Sequence, residues 1–111
     1  MSWDVILIKT NRCDLKSYKE LIDQDVINYD KDTVADLICK AIPKIDRIDE
    51  EWMEFESDSF ACSINLSAPP NIMLHFHLFE DNEEELMRFI VSLCDLLACR
   101  AVDTSTAEFM F

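Results

Sequence analysis

Glycine is absent from all 111 residues. That excludes the P-loop and the G-x-G-x-x-G dinucleotide loop, which need a residue without Cβ where the backbone closes on phosphate. Basic residues are scarce as well: ten Lys and Arg stand against 23 Asp and Glu, for a net charge of −13. A chain so acidic is repelled by phosphate backbones and anionic lipid, so direct nucleic-acid or membrane-surface binding is not expected and a basic protein partner is. There is no basic stretch followed by an apolar one at the amino end, and residues 5–8 are too short for a signal core. The longest apolar-rich region, residues 86–98, is broken by Arg88, Ser92 and Asp95, so no membrane span is expected and the chain is placed in the cytoplasm. The five cysteines are odd in number, include no CxxC and mostly lie in apolar stretches, a pattern of reduced buried thiols rather than of a disulfide framework.

What is present is a globular composition, half hydrophobic and 30% charged, expected to fold as one domain over residues 1–111. Its organising stretch is residues 60–79, FACSINLSAPPNIMLHFHLF, two alternating runs joined by Ser-Ala-Pro-Pro. Alternation is the mark of half-buried strands. Phe60, Cys62, Ile64 and Leu66 share one face of the first run, and Ile72, Leu74, Phe76 and Leu78 one face of the second. The opposite faces carry Ala61, Ser63 and Asn65, then Met73, His75, His77 and Phe79.

Residues 3–10 (WDVILIKT) are β-branched and apolar on both faces, so they read as a central strand with neighbours on both edges. Residues 11–29 carry only a weak helical period and are expected to hold at most one short helical turn. Asp30 or Asp32 can cap a helix with Val34, Leu37, Ile38 and Ala41 on its apolar stripe, ended by Pro43. Residues 44–51 form a charged connector whose two isoleucines turn toward the core. Residues 52–57 alternate, with Met53 and Phe55 on one side and Trp52, Glu54 and Glu56 on the other, and Asp58-Ser59 turn the chain into the next strand. After the strands comes an acidic step at residues 80–85, in which Asp81 and Glu84 have capping-box spacing. A helix over residues 83–99 buries Leu86, Phe89, Ile90, Leu93, Leu96 and Leu97, with Arg100 at its carboxyl pole. A last short strand uses Ala101 and Val102 or residues 108–111, with 103–106 as a polar turn. The expected fold is therefore α+β, in the order β-α-β-β-β-α-β, with a mostly antiparallel sheet of four to five strands and two helices on one face. Its other face is left open.

Catalytic signals are weak. His75 and His77 project to the same side of a strand, yet a zinc site needs a third ligand, and Glu54, Glu56 and Asp103 are not placed by any spacing motif. No metal or cofactor is expected. Cys62 faces away from both histidines, against a Cys-His nucleophile. The carboxylates are too many and too uniform to single out an acid and a base. As a field, however, the acids at residues 46–58 and 80–85 can steer a cationic protein into contact.

The stretches Trp3-Asp4-Val5, the aspartate-rich step into Trp52, Ile64-Asn65-Leu66, Met73-Leu74-His75 and the closing run from Arg100 to Phe109 together make the chain resemble the small immunity-type proteins encoded beside bacterial polymorphic toxins, including those of contact-dependent growth inhibition. The resemblance implies an inhibitor without enzymatic activity that binds a sibling toxin domain, often a nuclease with a basic cleft. The expected interface residues are Glu54, Glu56, Asp58, His75, His77, Asp81, Glu83 and Glu84. The alternatives are a small metal- or ligand-binding enzyme built around His75, His77 and Asp103, and a homodimer with Trp52 and Met73 at its seam.

Overall fold

Period-two alternation builds a larger sheet than expected. The computed structural model describes residues 2–110. Its strands are β1 (Ser2–Ile8), β2 (Asp46–Arg47), β3 (Trp52–Glu56), β4 (Phe60–Asn65), β5 (Asn71–Leu78), β6 (Arg100–Asp103) and β7 (Glu108–Phe109), with helices α1 (Lys31–Ala41) and α2 (Glu83–Leu97). The strands form one antiparallel sheet in the order β2-β3-β4-β5-β1-β6-β7. The class is α+β as expected, but seven strands replace four to five. Both carboxyl-terminal candidates form, as the hairpin β6-β7, and β2 arises inside the charged connector. A two-residue strand is too short to show alternation, which is why β2 escapes a sequence reading.

β1 lies between β5 and β6, which explains its double-sided apolar character. It ends at Ile8 rather than Thr10, which makes only an isolated bridge to Val26. β3 and β4 are joined through Asp58-Ser59, where the Ser57 amide donates to the Phe60 carbonyl at 2.8 Å.

One face of the sheet carries the core. Val5, Leu7, Met53, Phe60, Cys62, Ile64, Ile72, Leu74, Phe76 and Ala101 are buried against both helices. Phe55 stacks on Phe89 at 5.1 Å, and Phe60 meets Phe89 edge-on at 5.3 Å and Phe76 at 5.7 Å. Each such aromatic pair contributes about 0.5–1.5 kcal/mol beyond area burial, whereas exposed ion pairs such as Arg88–Glu84 contribute about 0–1 kcal/mol each. The ring cluster therefore fixes α2 on the sheet.

The helix stripes shift from expectation. α1 buries Val34, Ala35 and Ile38, while Leu37 is 39% exposed and Ala41 is exposed. A short stripe is compatible with two rotations of a helix, and contact with α2 and the sheet selects one. α2 buries Leu86, Ile90, Leu93, Cys94 and Leu97, with Phe89 and Leu96 half-buried. Asp30 caps α1 through the Asp32 amide, and α1 stops at Ala41, before Ile42-Pro43. For α2 the cap is Asn82, accepting from the Glu85 amide at 3.2 Å, so the Asp81–Glu84 capping box does not form. Of the two connector isoleucines, Ile45 packs on the core and Ile48 is 54% exposed.

Residues 11–29 hold two single 3-10 turns, Tyr18–Glu20 and Asp23–Asp25, where at most one was expected. The segment also covers one end of the sheet face expected to be open. The Ile27 amide donates to the Lys9 carbonyl at 2.8 Å and the Phe109 amide to the Lys16 carbonyl at 2.9 Å. Arg100 does not serve the helix pole; its guanidinium donates to the carbonyls of Arg12 at 3.0 Å and Leu15 at 2.8 Å and lies over the Phe109 ring at 3.8 Å. Ile8, Leu15 and Val102 are buried outside the main core cluster.

Lack of glycine leaves a mark on the backbone. Ala98, which ends α2, and Ala107, in the turn before β7, adopt left-handed φ values of 54° and 59°. A Cβ in that region costs about 1–2 kcal/mol. Ala98→Gly and Ala107→Gly are each expected to stabilise the fold by about 0.5–1 kcal/mol, the gain being reduced by the greater freedom of glycine in the unfolded chain. Urea denaturation checks this: an unchanged or lower midpoint for both variants contradicts the assigned strain.

Candidate functional site

Cross-strand register determines which side chains share the uncovered part of the second face. One row runs Asp46, Glu54, Ser63, His75, Asp4 from β2 to β1. The next runs Glu56, Ala61, His77, Ser2, and a third Trp52, Asn65, Met73, Ile6. Partners directly opposite in an antiparallel pair project to the same side. Glu54, Glu56, His75 and His77 are thus brought together, all exposed, on the face opposite the core. Asp46 and Asp4 join them. Sequence reading did not name Asp4 as a site residue, because its place beside His75 depends on the β1–β5 register.

β4 contributes only short side chains, Ser63 and Ala61, to the first two rows. A small trough of about 160 Å³ is lined by Asp46, Glu54, Phe55 and Glu56 together with Ala61, Cys62 and Ser63 of β4. With strands about 4.8 Å apart, the Glu54/Glu56 wall stands about 10 Å from the His75/His77 wall. Nδ1 of His75 contacts the Asp4 carboxylate. His77 packs edge-on against Phe79 at 5.4 Å.

Asp58, Asp81, Glu83 and Glu84 lie at one end of the sheet rather than in the trough. The Ser59 carbonyl accepts from the amides of Phe79 at 2.9 Å and Glu80 at 3.2 Å. The buried Ser59 hydroxyl donates to Glu85 Oε2 at 2.7 Å. These bonds join the Asp58 turn to the acidic step; Asp58, Asp81, Glu83 and Glu84 are all exposed, Asp81 and Glu83 lining a cavity with Ser2 and Trp3 and Glu84 being paired with Arg88. Glu85 differs from its neighbours: it is half-buried and structural.

The cations are elsewhere. No lysine or arginine occurs in the three rows. Lys31 pairs with Glu51 at 3.5 Å, Arg47 with Asp36 on α1, and Arg88 with Glu84. Arg12 pairs with Asp14 in the covering segment at 2.9 Å, and its hydrogen bonds hold the Asp14 carboxyl down to about 2.

The alternative constellation of His75, His77 and Asp103 is not assembled. Asp103 is opposite Val5 and so projects to the core side of the sheet. Burial would raise its pKa, but hydrogen bonds from Trp3 Nε1, at 3.0 Å, and from Ser105 outweigh burial and lower it. Among the described residues no group of three or more His, Cys, Asp or Glu side chains is placed to hold a metal ion. Cys62 is buried on the face opposite both histidines, as the alternation requires. A larger cavity, of about 590 Å³, lies on the helix side over Phe55 and Phe89, away from the acidic rows. Among the described residues no helix is long and apolar enough to cross a membrane.

No protein-family model, no curated protein and no solved structure matches the chain.

All five cysteines are free, and only Cys13 is exposed. Burial, followed by the charges of Cys99 and Asp95, pushes the Cys94 thiol up to about 12, and burial pushes Cys99 up to about 11. At pH 8 one thiol, Cys13, is expected to react rapidly with a disulfide reagent, and Cys13→Ser to remove that phase. Rapid reaction of two or more thiols contradicts the burial described. Because the folded state keeps the Cys94 proton longer than the unfolded one, this thiol's contribution to stability is complete below pH 9 and lost as the pH rises toward 12.

Proposed function

We propose that this chain is an immunity protein that binds a basic, nuclease-type toxin domain through its acidic sheet face and neutralises it by contact alone. The observation that supports this reading best is the segregation of charge. Asp4, Asp46, Glu54 and Glu56 share a face on which the three rows contain no lysine or arginine, and Asp58, Asp81 and Glu83, exposed at the end of the sheet, add to the field, while Glu84 is paired with Arg88. Four carboxylates on one rigid sheet face, within a chain of net charge −13, make a local field that can steer and select a cationic partner.

The trough suits that role. A nuclease cleft presents lysines and arginines to phosphates, and carboxylates held on adjacent strands can meet those cations in place of substrate. Antiparallel strands fix the spacing of the backbone positions from which those carboxylates project. His75 and His77 supply polar aromatic surface opposite the carboxylates. The resemblance to toxin-linked immunity proteins and the acidic face agree on the chemistry of the partner.

Self-association is the weaker reading. Trp52, 41% exposed, and half-buried Met73 are the apolar parts of the face. A two-fold contact, however, would set the carboxylate rows against themselves, which is repulsive.

A tagged protein recovered from its native cells is expected to carry the basic carboxyl-terminal domain of a large secreted effector, identified by mass spectrometry. Recovery of the protein alone argues against the proposal. With that domain in hand, Glu54→Lys with Glu56→Lys is expected to slow association at low salt by about tenfold or more. An unchanged association rate removes this face from the interface.

A further inference from the structure

The helix side of the sheet holds a site of opposite character. α1 stops at Ala41 ahead of Pro43, and between this end and the flank of α2 lies the cavity of about 590 Å³. That volume falls within the roughly 300–1,000 Å³ of small-molecule sites. Ile42, Pro43, Phe55, Phe89, Leu93 and Leu96 make its walls apolar, the Phe55 and Phe89 rings being stacked at 12° to each other. Phe89, Ser92 and Leu96 recur at helical spacing, a second stripe on α2 beside the one that meets the core. Ile42, Phe55, Phe89 and Leu96 are only half-buried, so part of this apolar surface is within reach of a ligand. Its charged lining residues are Lys44, Glu85 and Arg88. Lys44 is exposed and makes no hydrogen bond or ion pair among the described residues. Arg88 meets Glu84 in a pair that is mostly in water, a contact that contributes little and can yield to another anion. Glu85 is engaged by its own neighbours, Oε2 accepting from the Ser59 hydroxyl at 2.7 Å and from the Asn82 side-chain amide at 3.2 Å. Four smaller cavities elsewhere on the fold have no lysine or arginine among their described lining residues.

We propose that this cavity binds a free medium-chain alkyl monocarboxylate, its chain against Phe55, Phe89 and Leu96 and its carboxylate at Lys44 and Arg88. Two features select that chemistry. The walls are apolar and partly wet, so they favour a hydrocarbon body, and the two cations lie at one cavity in a chain where acids outnumber bases 23 to 10. The head group is singly charged for a physical reason: against a net charge of −13 a dianion such as a phosphate monoester is repelled more strongly, and no glycine loop is present to cradle it. The same charge disfavours an anionic membrane surface as the occupant. The inference is independent of the toxin-binding reading, which uses the opposite face of the sheet.

The full chain is titrated with sodium octanoate and sodium decanoate below the concentrations at which they form micelles, and followed by two-dimensional NMR. The expected result is saturable shifts of the Ile42, Leu93 and Leu96 methyls, with decanoate about fifteenfold tighter than octanoate because two more CH₂ groups leave water. Lys44→Gln, an exposed change that leaves the core untouched, is expected to weaken decanoate about threefold to fivefold and to leave neutral decanol unchanged. Ser92→Trp, at an exposed position on the cavity lining, is expected to fill the site and abolish the shifts. Any of four outcomes overturns the proposal: no saturable shift of these methyls, equal affinity for octanoate and decanoate, binding of decylammonium or decyl phosphate at least as tight as that of decanoate, or association with phosphatidylglycerol vesicles without binding of free decanoate, which assigns the surface to a membrane.

Discussion

Four phenylalanine rings, Phe55, Phe60, Phe76 and Phe89, hold the long helix against the sheet, and the rest of the molecule is arranged around that contact. Three of them come from successive strands and one from α2, so their packing is possible only when β3, β4 and β5 are in register and α2 has returned over them. The outcome is a one-sided core. Once one face of β4 and β5 is committed to Phe60, Cys62, Ile64, Leu74 and Phe76, a slip of one residue would bury Ser63 and His75 instead, so the core also fixes what the other face displays.

That second face divides into two regions with different physics. Near the amino end of β1 and the carboxyl end of β5 it is polar and exposed, with carboxylates and histidines facing one another across the small residues of β4. Toward the other end residues 11–29 fold back over it, held by main-chain bonds and by Arg100, which ties the segment's carbonyls to Phe109. The half-buried Arg100 is spent on structure. The surface that remains carries negative charge without local compensation, which is unfavourable for the isolated fold and favourable for meeting a cation-rich protein.

The fold was legible where a period repeats often enough to be distinguished. Residues 60–66 and 72–78 alternate over several repeats, and their inward and outward sets are those found in the structure. α2, with 15 residues, was equally plain. α1 was legible as a helix but not in its rotation: Leu37 and Ala35 compete for the stripe, and only the neighbouring elements distinguish them. The β2 strand was invisible because two residues have no period. The cap of α2 moved from Asp81 to Asn82, the residue whose spacing reaches the Glu85 amide, while the Glu85 carboxylate itself is engaged by Ser59 across the β3–β4 turn.

Of the candidate site, the pairing of Glu54 and Glu56 on one strand and of His75 and His77 on another follows from alternation, because side chains two residues apart on a strand share a side. Sequence by itself thus determined the acidity, the want of phosphate-binding glycine loops, the α+β class and the two half-walls of the trough, all of them properties of composition or of local period. Tertiary structure alone decided that the walls face each other across β4, that Asp4 stands beside His75 while Asp103 lies behind the sheet, and that residues 11–29 cover one end of the face. Those are matters of register and of strand order between residues up to a hundred positions apart, and local period is silent about both.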